Sequence, residues 1–330
     1  MKRLYMMLPV ALGVAFASLP ANAQDKYPSK PVRILVPYGP GGATDIAARI
    51  IREHLRDILG QAFYVENKPG AYGILAIEDM ARARPDGYTL MVGNVSTNAI
   101  TPVLFQAKLK INYGRDVIPV MRLVDVPAFL LVTTTNFTPR SVPELIETIK
   151  KNPGRVRYGT VGVGSYPDYD MAVFAKRAGD LELTGIPNRN GAAGVILDMV
   201  TGDSQTAFLN VASTAAMVKA GKLKALAIVN HERLPEFPDV PTMREVGFPD
   251  VGTLAWQAMF APAGTPRDIL ELLHKASVQA MQVPAAKKVF AEQNFNIVPT
   301  KSVDEAKPWL AQEIATWTKI TQEVKIDVPD

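Results

Sequence analysis

The sequence predicts an α/β protein with two lobes, each a mostly parallel sheet flanked by helices, and a ligand cleft between the lobes. Two observations support this prediction. Strand-like apolar runs alternate with amphipathic helical runs along most of the chain, and a glycine-rich turn follows an early strand in each half. Ligands of open α/β sheets bind beyond the carboxyl ends of the strands. Two facing lobes would therefore place one glycine-rich loop on each wall of the cleft.

The N-terminus has the three parts of a secretory signal peptide. Lys2 and Arg3 give a basic start, an apolar stretch follows, and Ala21-Asn22-Ala23 forms a small-residue cleavage site. The apolar stretch is shorter than the roughly 20 residues that a membrane-spanning helix needs, and it contains a proline. We therefore predict a signal peptide over residues 1–23, cleavage after Ala23 and an exported, soluble mature protein.

Composition excludes several classes of protein. The chain has 330 residues, of which 48% are hydrophobic, so it can form substantial cores. It has no cysteine, which excludes disulfides, thiolate metal sites and a cysteine nucleophile. The formal charge of +4 falls to about +2 without Lys2 and Arg3. Since no basic block with interleaved aromatics is present, we expect no binding of nucleic acid.

The first elements repeat a strand–loop–helix order. The run "VRILVP" predicts a buried strand, and "PYGPGGATD" predicts the first glycine-rich loop. The following helix has apolar residues at helical spacing, and Gly60 supplies a stop signal. The strand "AFYVEN", the helix "ILAIEDMARAR" and the strand "TLMVGN" continue the same order.

A second unit of the same kind follows "VIPVMRLVDVPAFLLVTT", which predicts two strands joined at Val126-Pro127. Ser141 is placed to cap the next helix. The strand "VRYGTV" then leads into the loop "GVGSYPD" and a helix that begins at Tyr169. Two further strands, "QTAFLN" and "LKALAIVN", flank a short helix over Thr214–Ala220. A returning strand, "TLAWQAMFAP", precedes a mostly helical C-terminus. We expect residues 24–125 and 254–330 to form the first lobe, and residues 126–253 to form the second.

The first glycine-rich loop does not have the spacing of a nucleotide site. A phosphate-binding loop needs a lysine before the hydroxyl residue, but none precedes Thr44, and no third glycine has the dinucleotide-binding offset. Glycines allow close approach to the backbone, and the N-terminus of the next helix presents free N–H groups. The loop is therefore either a seat for a carboxylate or another small anion, or a tight capped turn that binds no ligand.

The second glycine-rich loop does not match a nucleophile elbow, because Ser165 follows the glycines instead of lying between them. Thr160 and Ser165 are interpreted as hydroxyl donors beside exposed backbone N–H groups; the alternative is an ordinary loop. The three histidines lack metal-ligand spacing. We therefore predict no catalytic residue, no metal and no cofactor.

Six segments carry a resemblance to a known family: "YPSKPVRILVPYGPGGATDIAARIIREHL", "LGQAFYVENKPGAYG", "ARPDGYTLMVG", "VKAGKLKALAI", "LPEFPDVPTMREVGFP" and "FAPAGTPRDIL". They resemble, in order, signatures of the Bug proteins, the periplasmic substrate-binding subunits of bacterial tripartite tricarboxylate transporters. The resemblance implies a two-lobed periplasmic-binding-protein fold that closes on a small carboxylate. It also implies a non-enzymatic, monomeric receptor in the periplasm that delivers its ligand to two integral membrane subunits.

The resemblance also implies a set of ligand-binding residues, held mostly through backbone N–H groups, hydroxyls and waters. In the first lobe they are Tyr38, Gly41, Gly42, Ala43, Thr44, Asp45, Ser96 and Thr97. In the second lobe they are Thr160, Gly162, Gly164, Ser165 and Asn210.

The sequence departs from the family pattern at "SYPDYD", "PNRNG" and "FLN", which should line the far end of the pocket. Tyr166 and Tyr169 could stack on an aromatic acid, Arg189 could pair with a distal carboxylate, and Asp168 could favour an amine or hydroxyl. The alternative for each is a solvated loop variation. Two other functions remain open: a sensor that presents a carboxylate to a membrane kinase, and a secreted hydrolase that uses Ser165 with a histidine.

Overall fold

The computed structural model describes residues 27–188 and 190–326. The predicted signal peptide and Arg189 lie outside the described residues. The strands are β1 Val32–Val36, β2 Phe63–Asn67, β3 Thr89–Asn94, β4 Val117–Val126, β5 Ala128–Thr133, β6 Arg157–Thr160, β7 Thr184–Pro187, β8 Thr206–Asn210, β9 Leu223–Val229, β10 Ala255–Pro262 and β11 Asn296–Ile297.

The helices complete the element list. They are α1 Ala43–Leu59, α2 Ile74–Arg82, α3 Thr101–Leu104, α4 Tyr113–Asp116, α5 Val142–Lys151, α6 Tyr166–Arg177, α7 Gly191–Thr201, α8 Val211–Lys219, α9 Arg267–Gln282, α10 Pro284–Glu292 and α11 Val303–Glu323. A 3₁₀ turn, Ala71–Gly73, precedes α2, and a π-helical turn, Ser96–Ile100, precedes α3. Across the described part of the chain, no helix is both long and apolar enough to cross a membrane.

The strands form two sheets, one in each lobe. The first has the order β11-β4-β10-β3-β1-β2, and the second has the order β7-β6-β8-β5-β9. The chain first passes between them at Pro127, the single residue that separates β4 from β5, and it returns to the first sheet between β9 and β10. The predicted two-lobed α/β fold is confirmed. The strands of the two sheets lie within 32–126 plus 255–297 and within 128–229, while the exact lobe boundaries stay a prediction.

Both sheets are mixed instead of mostly parallel. Strand β1 pairs in parallel with β2 and β3, and β6 pairs in parallel with β7 and β8. The strands that carry the chain between lobes pair antiparallel: β10 with β3 and β4, and β5 with β8 and β9. The physical reason is that parallel neighbours need a crossover connection, usually a helix, and strands arriving from the other lobe have none in their own sheet.

The caps predicted from the sequence are present. Gly60 ends α1 in the left-handed conformation, with φ 73°, and donates its N–H to the Arg56 carbonyl. Ser141 caps α5 by accepting the Glu144 N–H at 3.3 Å. Each cap satisfies a backbone group that the helix itself leaves unpaired.

Two helices begin three residues earlier than the sequence pattern predicts. Helix α6 begins at Tyr166 instead of Tyr169, and α8 begins at Val211 instead of Thr214. In α6, Pro167 lies in the first turn, where its missing N–H costs nothing. Tyr166 and Asp168 therefore belong to the first turn of a helix and not to a loop.

Helix α6 belongs to the second lobe but packs against the first. Tyr166 and Tyr169 join the apolar cluster around Trp256, and the Tyr169 ring meets the Trp317 ring edge-on at 5.7 Å. Asp170 accepts hydrogen bonds from the Thr253 N–H at 3.0 Å and the Thr253 hydroxyl at 2.6 Å, on the segment that returns to the first lobe. One helix thus carries much of the contact between the lobes.

Candidate functional site

The first glycine-rich loop ends at the N-terminus of α1. Gly42 precedes the helix without any side-chain cap, and the amides of the first turn have no acceptor within the helix. Gly41 has φ 89°, a conformation that glycine adopts without strain. The backbone therefore presents a row of N–H groups, which favours an anion.

Asp45 holds this loop in shape. One carboxylate oxygen accepts the Gly41 N–H at 3.0 Å and the Arg49 Nε–H at 2.8 Å, and the other accepts the Asn67 amide at 2.9 Å. Burial raises the pKa of Asp45, but the hydrogen bonds from Arg49, Gly41 and Asn67 outweigh it and hold that pKa below its ordinary value. Because Asp45 is 2% exposed and fully bonded, it positions the loop and leaves the N–H groups to a ligand.

Asn94, at the end of β3, connects the other polar groups of the first lobe. Its Oδ1 accepts the Tyr38 hydroxyl at 2.9 Å, and its Nδ2 donates to the Thr44 hydroxyl at 3.2 Å. Our predicted binding residues did not include it, although a polar residue at a strand end is a signal for a site. Thr97 is 1% exposed and its hydroxyl lies 2.7 Å from the Asn98 Oδ1, so it stabilises the turn after β3.

The hydroxyls of the second loop also bond internally. Thr160 Oγ1 lies 3.0 Å and Ser165 Oγ lies 2.7 Å from the Gly162 carbonyl oxygen. The Ser165 hydroxyl has no histidine among its hydrogen-bond partners in the described ranges, so the geometry gives it no general base. These two side chains shape the loop.

Asp168 in the second lobe repeats the arrangement of Asp45. Each is the third residue of its helix, and each accepts the N–H of the glycine four positions earlier; for Asp168 that donor is Gly164, at 2.8 Å with φ 75°. The second oxygen of Asp168 accepts the Tyr158 hydroxyl at 2.7 Å. Burial raises the pKa of Asp168 despite these two bonds.

The two lobes meet where the predicted residues lie. The Tyr166 N–H, at the start of α6, donates to the Ser96 hydroxyl of the first lobe at 3.0 Å. The Tyr166 hydroxyl donates to Asn210 at 2.6 Å, and its ring is 4% exposed. Tyr169 is 1% exposed against Trp317, so its ring lies within the interface between the lobes. Arg189 is outside the described residues, but Asn188 bonds to the Thr160 carbonyl at 2.9 Å.

A strained turn that the sequence analysis missed lies against the first-lobe site. Ala71 and Tyr72 have φ 47° and 57°, which is unusual for residues other than glycine. The Tyr72 ring stacks on Phe105 at 4.2 Å. A Cβ on Gly73 would lie 2.4 Å from a methyl carbon of Thr97, so this turn fits closely against the turn after β3. The signal in the sequence was "PGAYG", with glycines on both sides of the strained pair.

Known proteins match this chain over most of its length. The family model of the tripartite tricarboxylate transporter family receptor matches residues 47–326. BugT of Bordetella pertussis is 31% identical over 323 residues, which cover 98% of each chain. The structure of R. palustris Rpa4515 with adipate superposes with a TM-score of 0.85 at 27% identity, covering 91% of this chain and 99% of that one.

A second solved structure gives the same result. MatC from Rhodopseudomonas palustris, with bound malate, superposes with a TM-score of 0.81 at 30% identity and covers 89% of this chain and 99% of MatC. The fold of this chain is that of periplasmic binding proteins. The chain belongs to the tripartite tricarboxylate transporter receptor family, the family of the Bug proteins.

Proposed function

We propose that this protein is a periplasmic solute receptor that captures a small organic acid and delivers it to a tripartite membrane transporter. One observation carries the proposal: each lobe has a glycine-rich loop held by a buried aspartate, and the second loop ends at Tyr166, whose N–H donates to Ser96 in the first-lobe turn after β3. Helix N-termini and glycine amides are suited to a carboxylate. Relatives solved with adipate and with malate support the same ligand class.

The proposal includes the finer points that the sequence predicts. Export depends on the signal peptide over residues 1–23, and the mature protein acts as a monomer without catalysis. The lobes, with boundaries near residues 126 and 254, close on the ligand by a hinge motion, and the loaded form is recognised by two integral membrane subunits. The ligand lies among the predicted binding residues of the two lobes, and Asp45 and Asp168 act there by holding the loops.

The direct test is native mass spectrometry of the purified protein, followed by a thermal-shift screen of mono-, di- and aromatic carboxylates. A ligand present at a hundred times its Kd stabilises the folded protein by about 2.7 kcal/mol, so a true ligand raises the melting temperature. The absence of any retained acid, together with no shift for any carboxylate, would overturn the proposal. A transport assay in a deletion strain then separates transport from sensing.

Asp45→Ala is expected to weaken carboxylate binding about tenfold to hundredfold, because Gly41 and Asn67 lose a charged acceptor and the loop is no longer held. Isothermal titration calorimetry measures the affinity, and circular dichroism confirms the fold. Asp57→Ala is the matched control, since Asp57 lies on the same helix with its side chain 59% exposed. Equal affinities in the two variants would contradict the role assigned to Asp45.

Asp168 offers a test of whether its geometry or its charge matters. Asp168→Asn keeps an oxygen for the Gly164 N–H, and its amide can donate to the Tyr158 hydroxyl, which accepts as well as donates. We expect Asp168→Asn to bind nearly as well as wild type and Asp168→Ala to bind about tenfold more weakly. Equal losses in both variants, measured by calorimetry, would instead indicate that the charge contacts the ligand.

A further inference from the structure

The side-chain amide of Gln257, on the strand that returns to the first lobe, is buried and has no hydrogen-bond partner in the described part of the chain. Its side chain is 0% exposed, and neither Oε1 nor Nε2 has a partner among the described residues. Leaving a buried amide unpaired costs free energy, and buried polar groups in folded proteins are almost always bonded. A group from outside the chain, either a ligand or an ordered water, can satisfy such an amide.

The register of the sheet places this amide beside the candidate site. Gln257 in β10 lies directly opposite Asn94 in β3, and Met259 lies opposite Val92 without any register shift between these two strands. Residues directly opposite one another in an antiparallel pair point to the same face, with their Cβ atoms about 5 Å apart. Gln257 therefore shares the face on which Asn94 bonds to Tyr38 and Thr44.

A helix of the second lobe contacts the apolar cluster on this face of the sheet. Ala212, in the first turn of α8, packs against the apolar cluster that contains Met259 and Val92, the residues two positions along from Gln257 and Asn94. The hydroxyl of Ser213, the next residue, is also buried without a partner among the described residues. The unpaired amide thus lies on the face of the first-lobe sheet whose apolar cluster a second-lobe helix contacts.

We propose that Gln257 is a ligand-binding residue that selects a carboxylate carrying an adjacent hydrogen-bond donor, that is, a hydroxy acid. The inference rests on the proposed function and names the ligand class within it. Both amide atoms are unpaired, so a matching ligand must offer an acceptor to Nε2 and a donor to Oε1. A carboxylate oxygen supplies the first and a neighbouring hydroxyl supplies the second. A carboxylic acid without that hydroxyl leaves Oε1 unpaired. The lost hydrogen bond to a buried polar atom discriminates strongly between the two kinds of ligand.

The test uses pairs of acids that differ only by one hydroxyl: malate and succinate, lactate and propionate, mandelate and phenylacetate. Calorimetry is expected to show that wild type prefers the hydroxy acid by at least about tenfold in each pair that binds. Gln257→Leu should lose that preference. An equal affinity within every binding pair, or a preference that persists in Gln257→Leu, would overturn the proposal.

A second measurement needs no ligand. If Gln257 serves the ligand and not the fold, Gln257→Leu removes two unpaired polar atoms and should raise the urea midpoint of the ligand-free protein. A lower midpoint would show that the amide is structural and would overturn the proposal. Met259→Leu, a volume-conserving change on the same strand and face, is the control and should leave the preference for hydroxy acids unchanged.

Different results would refute the selection of hydroxy acids by Gln257 and the proposed receptor function. A wild-type protein that binds no carboxylate of any kind refutes the receptor function and, with it, the assignment of Gln257. A protein that binds carboxylates but ignores the hydroxyl leaves the receptor function standing and refutes only the selection by Gln257.

Discussion

Between about pH 4 and pH 7, the wild-type protein is expected to lose about 4 kcal/mol of unfolding free energy relative to Asp170→Asn. Burial raises the pKa of Asp170 from 3.8 to about 7, although its hydrogen bonds from Thr253 oppose the increase. In this range the folded chain keeps a proton that the unfolded chain releases. Stability from this group is therefore complete below about pH 4 and is lost as the pH rises through the folded-state pKa.

Urea denaturation of both proteins at several pH values measures this difference. Other buried carboxyls also titrate, and the pKa of Asp168 and that of Asp125 are both raised by burial, so the comparison with Asp170→Asn isolates one group. The exposed Asp250 provides the control, and Asp250→Asn should follow the wild-type pH profile. Parallel profiles for wild type and Asp170→Asn would contradict the expected burial of the charge. We therefore expect the stability contributed by this contact between α6 and the returning segment to depend on pH.

Trp317→Ala is expected to destabilise the protein by about 3–5 kcal/mol, the usual cost of deleting a large buried aromatic side chain. Trp317 in α11 is 3% exposed and meets Tyr169 of the second lobe edge-on, at 5.7 Å with an interplanar angle of 69°. The variant therefore loses packing in the first lobe together with a contact between the lobes. Equilibrium urea unfolding, followed by circular dichroism, measures the loss.

Two further variants separate these contributions. Trp317→Phe keeps an aromatic ring and should cost much less than Trp317→Ala. A double-mutant cycle with Tyr169→Ala should give a coupling of about 0.5–1.5 kcal/mol, the value typical of an aromatic pair. A loss below about 1 kcal/mol for Trp317→Ala, or a coupling near zero, would show that this contact does not hold the lobes together.

The sequence was sufficient where a local signal decides the structure. Gly60 and Ser141 end and begin their helices as predicted, because a left-handed C-terminal residue and a hydroxyl cap act within a few residues. The order of strands and helices was predicted for the same reason. The start of α6 was predicted three residues late, because the segment from Tyr166 to Asp168 has no apolar residues at helical spacing. Packing between the lobes buries this first turn instead.

The candidate site divides in the same way. The glycine-rich loops and their helices could be located from composition and order, and the match to the tripartite tricarboxylate transporter receptor family confirms the resemblance seen in the sequence. The roles of individual side chains could not be predicted from the sequence. Asp45 and Asp168 were expected near the ligand, but the structure bonds each of them to a glycine amide of its own loop. Tyr169, interpreted as a stacking platform, packs against Trp317.

The sequence by itself determined the two α/β units, their glycine-rich turns and their family, because these depend on local propensity and on motifs continuous in the chain. Only the tertiary structure decided that both sheets are mixed, that Ser96 reaches the first amide of α6, and that Asn94 and Gln257 lie side by side. These features join residues from 70 to more than 160 positions apart, as Ser96 to Tyr166 and Asn94 to Gln257. Strand register and the packing of one lobe on the other set such pairings, and no local pattern encodes either.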